Sequence, residues 1–115
     1  MKFHHLGIAC ENIQELTSSI VKTFNIIRIS EIFYLDNQGV YVCLLTNDDG
    51  TNIELVSGEK VNNFVKKNQF LYHHCWEVDD INSAIDNFCA NGSSLIMEPK
   101  PSKLFDNRKV AFLYT

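Results

Sequence analysis

The sequence is poor in positive charge, has no long apolar run and has no closely spaced pair of cysteines. Each absence removes a class of function. Ten Lys and Arg stand against fourteen Asp and Glu in 115 residues, a formal net charge of −4. Nucleic acid and anionic membranes both want a basic face, so neither is expected as a partner. No stretch is long and apolar enough to span a bilayer, and Met1-Lys2-Phe3-His4-His5 does not open a secretory leader. Cys10, Cys43, Cys75 and Cys89 form no C-x-x-C and sit among apolar neighbours. They read as buried free thiols in a reducing cytoplasm rather than as a disulfide framework or a zinc finger.

What is present suits one folded domain over 1–115. A composition of 45% hydrophobic and 21% charged residues is globular rather than disordered. A chain of this length can bury roughly two thirds of its unfolded surface, so it needs no disulfides.

All four histidines fall in two pairs, His4-His5 and His73-His74. A shift of 68 positions lays His5 on His73, Cys10 on Val78, Glu11 on Asp79, Asn12 on Asp80 and Ile13 on Ile81. Both copies read as a strand followed by a helix. Ile13, Leu16, Ile20 and Phe24 have helical spacing, as do Ile81, Ala84, Ile85 and Phe88. Asn12 and Asp80 are the expected N-caps, and Asn91-Gly92 the stop of the second helix. Apolar, β-rich runs follow at 26–35, 40–46 and 52–57, separated by turn chemistry at Asp36-Asn37-Gln38-Gly39 and Asn47-Asp48-Asp49-Gly50. The pattern predicts an α+β chain: a first module over about 1–58, a linker helix over 59–68, and a second module over 69–115. The second module has a weak strand near 94–97, a Pro/Lys/Ser-rich loop from 98 to 107 and a strand at 109–114. That is one strand fewer than the first module, so by equivalence the last strand is absent from this chain.

Strand alternation sorts the side chains. Leu6, Ile8 and Cys10, and likewise Trp76 and Val78, are expected beneath the helices, which turns His5 and His73 to the opposite face. Ile53 and Leu55 point one way and Glu54 the other, and a carboxylate between two large aliphatics is costly to bury without a partner. Modules related by a pseudo-twofold axis bring equivalent residues together. His5, His73 and Glu54 then form a set of two imidazoles and one carboxylate, suited to a divalent transition metal with open positions. A lone strand histidine is ordinarily a satisfied polar residue, and Glu54 alone could be edge-strand charge. Recurrence at equivalent positions favours ligation. His4 and His74 read as structural or as supports of the ligands, and Glu77 as structural or cavity-lining.

The segments His5-Leu6-Gly7-Ile8-Ala9, Asn52-Ile53-Glu54-Leu55-Val56 and Tyr72-His73-His74-Cys75-Trp76-Glu77-Val78-Asp79-Asp80-Ile81 resemble the vicinal oxygen chelate superfamily. That group includes glyoxalase I, methylmalonyl-CoA epimerase, fosfomycin and bleomycin resistance proteins and extradiol dioxygenases. The resemblance spans nearly the whole chain, and Gln38-Gly39-Val40, Ile53-Glu54-Leu55 and the Val78-Asp79-Asp80-Ile81 run suggest the methylmalonyl-CoA epimerase branch. It implies paired βαβββ modules forming an open, cupped mixed sheet, with a divalent ion (Co, Mn, Zn, Ni or Fe) held by His5, Glu54 and His73. The chain departs from the family in two places: the family's fourth ligand, usually a glutamate, lies on the last strand, which is expected to be absent here, and some epimerases carry an acidic base where this chain has the non-titratable Val42.

The resemblance implies a metal-dependent isomerase or lyase of the glyoxalase type, acting by proton abstraction next to a carbonyl. The best candidate is an epimerase of a 2-substituted acyl-CoA such as methylmalonyl-CoA, with Glu54 as the candidate catalytic base within this chain. Lys100, Lys103, Arg108 and Lys109 would suit an anionic small-molecule substrate, although they read more readily as a solvated basic loop. The alternatives are a small-molecule-sequestering protein of the bleomycin resistance type and a ferrous-iron extradiol dioxygenase. The unpaired edge of the 109–114 strand, together with the family habit, points to a homodimer.

Overall fold

A computed structural model describes residues 1–115. The elements run β1 (Lys2–Ala9), α1 (Ile13–Thr23), β2 (Ile26–Ile29), β3 (Phe33–Leu35), β4 (Val40–Asn47), β5 (Asn52–Ser57), a 3₁₀ turn (Glu59–Val61), α2 (Asn62–Lys66), β6 (Leu71–Glu77), α3 (Ile81–Ala90), β7 (Ser94–Ser102), a second 3₁₀ turn (Lys103–Phe105) and β8 (Arg108–Tyr114). The chain is α+β with two open sheets, one of six strands and one of two. It forms two compact units, Phe3–Trp76 and Glu77–Thr115 with Met1–Lys2. No helix is long and apolar enough to cross a membrane.

In the first unit the strand order is β2-β4-β5-β1-β6, with β3 beside β4. β1 and β5 are parallel, Gly7 standing opposite Glu54 and His5 opposite Asn52. β4 and β5 are antiparallel, with Val42 opposite Val56 and Leu44 opposite Glu54. Alternation divides this sheet as its sequence requires. Cys10, Ile13, Cys43, Leu45 and Leu55 form the core on one face, packed by Ile8, Leu16, Ile20, Ile26 and Ile53. The helical spacing of Ile13, Leu16 and Ile20 is what lays α1 onto that face. Asn12 caps α1 by accepting a hydrogen bond from the Glu15 amide at 2.9 Å. The turns close at Gly39 and Gly50, whose φ values of 67° and 87° are open to glycine without strain.

The run expected as one strand at 26–35 is broken into β2 and β3. The Ser30 hydroxyl accepts a hydrogen bond from the Leu44 amide at 2.8 Å, so a side chain takes over a ladder position. Leu6 and Trp76, expected beneath helices, are instead exposed, Trp76 at 44%. The Trp76 ring rests edge-on against Phe3 with centroids 5.3 Å apart, and its indole N–H donates to His74 Nδ1. The expectation of four buried thiols holds for Cys10 and Cys43 only. Cys75 is half-buried and Cys89 exposed, and all four are free.

In the second unit α3 packs on β7 and β8. Asp80 caps α3 through the amides of Asn82 and Ser83, and Gly92 follows its end at φ 101°. Of the loop expected from 98 to 107, only 103–107 is loop and turn, and 98–102 is strand. β7 continues to Ser102 and pairs antiparallel with β8, Pro101 standing opposite Lys109. In a two-stranded sheet each strand is an edge, so a proline without an N–H costs the ladder nothing on its outer side. The chain then turns through Asp106 and Asn107, both left-handed.

Candidate metal centre

The three residues singled out above come from three adjacent strands of the first unit: Glu54 from β5, His5 from β1 and His73 from β6. Each lies on the face opposite α1, because each alternates with a residue of the other face: Ile53 and Leu55 flank Glu54, and Leu6 follows His5. Their donor atoms all lie within 4.8 Å of one another. His5 Nε2 is 3.0 Å from His73 Nε2 and 3.1 Å from Glu54 Oε2, and His73 Nε2 is 3.8 Å from Glu54 Oε1. Ligands held at about 2.0–2.1 Å from one ion stand roughly 3.0–3.4 Å apart, so these spacings are close to those a divalent ion would need. His5 is 1% exposed and Glu54 4%. The donor set therefore fits the ion in number, chemistry and spacing.

Polar contacts hold these side chains in place. The Asn52 side-chain amide donates to the His4 carbonyl at 3.1 Å, and the Thr46 hydroxyl donates to Asn52 Oδ1 at 2.8 Å. That stitches β4, β5 and β1 together beside His5. His4 Nδ1 lies 2.8 Å from His5 Nδ1, so His4 supports the ring from the side away from Glu54. Tyr72 stacks edge-on to His73 with centroids 5.1 Å apart.

The two imidazoles titrate in opposite directions. Burial works to lower the pKa of His5, but its hydrogen bonds to Cys75 and Glu54, with the charge of Glu54, overcome it and push it up to about 9. Burial depresses His73 to about 4, and the neighbouring His5 and His74 add to that against the attraction of Glu54. Burial, with the charge of Glu54, pushes the Tyr72 phenol up. Of the two imidazoles, His5 is therefore the one that takes an extra proton at neutral pH, in the place where a cation would be gripped.

Cys75 and Tyr72 are neighbours of this cluster that were not assigned to it from the sequence. For Cys75 the signal was there: it stands two residues beyond His73 on one strand and so shares its face. Glu77 and Arg108 form an ion pair at 3.1 Å within the second unit, which agrees with a structural reading of Glu77 and engages one of the basic residues offered for an anionic substrate. A different open groove of about 720 Å³, lined among others by Ile8, Cys10, Asn12, Leu16, Val65 and Phe70, contains none of the three donors. Concavity is the weaker guide here: the titratable groups lining the groove are Cys10, Glu11 and Glu15, with no imidazole beside them.

Comparison with known proteins agrees with this architecture. The chain matches a sequence model of the Glyoxalase/Bleomycin resistance protein/Dioxygenase superfamily over residues 4–112. It is 32% identical over 119 aligned residues to "Methylmalonyl-CoA epimerase, mitochondrial" of Dictyostelium discoideum, covering 98% of this chain and 70% of that protein. Its fold is similar to a crystal structure of methylmalonyl-CoA epimerase from Mycobacterium tuberculosis, with a TM-score of 0.83 at 18% identity over 98% of this chain and 78% of that one. A crystal structure of selenomethionine methylmalonyl-CoA epimerase gives a TM-score of 0.74 at 18% identity over 99% and 86%. With the family match spanning all three donor residues and a relative at this identity, the chain belongs to the Glyoxalase/Bleomycin resistance protein/Dioxygenase superfamily.

Proposed function

We propose that this protein is a metal-dependent epimerase of a 2-substituted acyl-CoA, methylmalonyl-CoA being the best candidate. The observation that carries the reading is the His5–Glu54–His73 cluster, with His5 and Glu54 buried, His73 partly so, and the three donors at ion-binding spacing on one face of the sheet. The 32% identical relative, itself a methylmalonyl-CoA epimerase, supports the substrate class.

In this reading His5, His73 and Glu54 would hold a divalent ion, which would supply positive charge beside the thioester oxygen. Glu54 has two oxygens with different surroundings: Oε2 faces His5 Nε2 at 3.1 Å, while Oε1 is 3.8 Å from His73 Nε2. Oε1 is the better placed to take the proton from the carbon next to the thioester carbonyl. As the proton moves to Glu54, the C–H pair forms the C=C bond of the enolate and the carbonyl π pair moves to the thioester oxygen. Glu54 gives that proton to water, water returns one to the other face of the planar enolate as the carbonyl re-forms, and the centre is inverted with no net change of atoms. His4 and Asn52 act at one remove, by fixing His5 and the β1–β5 register.

The test is exchange of the C2 proton of methylmalonyl-CoA with solvent deuterium, using protein loaded with cobalt or manganese. Deuterium at C2 is the expected result, and its absence with every metal tried removes the epimerase reading. Two histidines and one carboxylate are also the donor set of non-haem ferrous oxygenases. Oxygen uptake on a catechol after anaerobic iron loading would replace the epimerase with that second reading. A homodimer belongs to the proposal, because β8 pairs only with β7 in its sheet. Light scattering at micromolar concentration that returns a monomer rejects it.

A further inference from the structure

A glycine in the middle of a strand weakens it, having no side chain to pack and the largest entropy to lose, so its presence needs a reason. Gly7 stands in the interior of β1, flanked in the sheet by β5 and β6. It is not among the glycines of positive φ, so backbone freedom is not what it supplies. Space is. A Cβ built on Gly7 would fall 2.6 Å from both Nδ1 and Nε2 of His73, and closer still to Cε1. Ordinary contacts between such atoms begin at about 3.5 Å, so no side chain fits without displacing the ring.

The register explains what that space is for. Gly7 is the residue of β1 directly opposite Glu54 on β5. Strands two apart in a sheet are separated by roughly 9.5 Å, too far for direct contact unless side chains lean across the strand between them. His73 leans across, over the bare Cα of Gly7. Its Nε2 reaches 3.8 Å from Glu54 Oε1 and 3.0 Å from His5 Nε2. A side chain at position 7 would occupy the ground between Glu54 and His73.

We infer that Gly7 is a positioning residue of the metal centre: by leaving the middle of β1 bare, it lets the His73 imidazole close onto Glu54 and His5. The assignment of these three as ligands rests on the function proposed above, but the steric relation between Gly7 and His73 does not. The experiment keeps the two apart. Wild type, Gly7→Ala, His73→Ala and the double variant are compared for thermal midpoint without metal and for cobalt(II) binding by titration and visible absorption.

Gly7→Ala is expected to lower the midpoint when His73 is present and to have little effect in the His73→Ala background. Folded Gly7→Ala is expected to bind cobalt about 10- to 100-fold more weakly, the usual cost of disturbing a ligand's support, and with a changed visible spectrum. If Gly7→Ala does not fold, the double variant decides: folding of the double variant supports the inference, and failure of both overturns it. An equal loss of midpoint in both backgrounds overturns it too, as does wild-type cobalt affinity and spectrum in Gly7→Ala. Wild-type protein that binds no cobalt at all sinks the proposed function instead, and leaves the thermal comparison to judge Gly7.

Discussion

His5 Nε2 and His73 Nε2 lie 3.0 Å apart, although 68 residues separate them in the chain. Two imidazole nitrogens at that distance need a proton between them. With His5 pushed up to about 9 and His73 down to about 4, that proton belongs to His5 at neutral pH. A divalent ion and this proton compete for the same lone pairs.

The metal-free chain is therefore expected to be most stable near pH 6.5. His5 has a raised folded pKa, so its contribution is full below 6.5, the ordinary value, and is lost as pH rises through about 9. His73 has a lowered folded pKa, so its contribution is full above 6.5 and is lost as pH falls toward about 4. Thermal midpoints across pH in the presence of chelator read both flanks. The alkaline loss is expected to vanish in His5→Gln and to persist in His73→Gln. An alkaline flank unchanged by His5→Gln contradicts the assignment.

Glu54→Gln keeps the shape of the side chain and removes its charge. Changes to residues that merely support a ligand lower metal affinity by about 10- to 100-fold, so loss of the ligand charge itself should cost at least about tenfold. Cobalt or zinc titration of the folded variant measures this. Unchanged affinity would remove Glu54 from the centre.

The thiols should react in order of exposure. Cys89 is exposed and should be modified first by a disulfide reagent. Burial, reinforced by Cys43, pushes Cys10 up to about 11, and burial pushes Cys43 up as well. Both should react only as the chain opens. A fast phase that survives Cys89→Ser contradicts this reading.

Asn12→Ala removes the side chain that accepts from the Glu15 amide at the start of α1. A lost N-cap costs about 1 kcal/mol, so denaturant midpoints should fall with unchanged slope. Because α1 packs on the face away from the three donors, cobalt affinity should not change.

The chemistry of the site was legible because alternation and repetition are local properties. Ile53-Glu54-Leu55 declares a carboxylate facing away from its aliphatic neighbours, and the two His-His pairs mark matching places on two strands. The caps at Asn12 and Asp80 were equally local. Trp76 and the 98–102 segment were misread because their fates depend on what lies beside them. A tryptophan reads as core until the sheet leaves it uncovered, and two prolines read as a loop until a two-stranded sheet offers an outer edge.

Composition, strand parity and helix capping determined by themselves which residue types face together, and so which side chains could serve as ligands. They could not say which strands are neighbours. Only the tertiary structure set β1 between β5 and β6, with Gly7 opposite Glu54 and under His73. Strand order is decided by pairing and packing between distant segments, and no local pattern encodes the spacing at which three side chains meet.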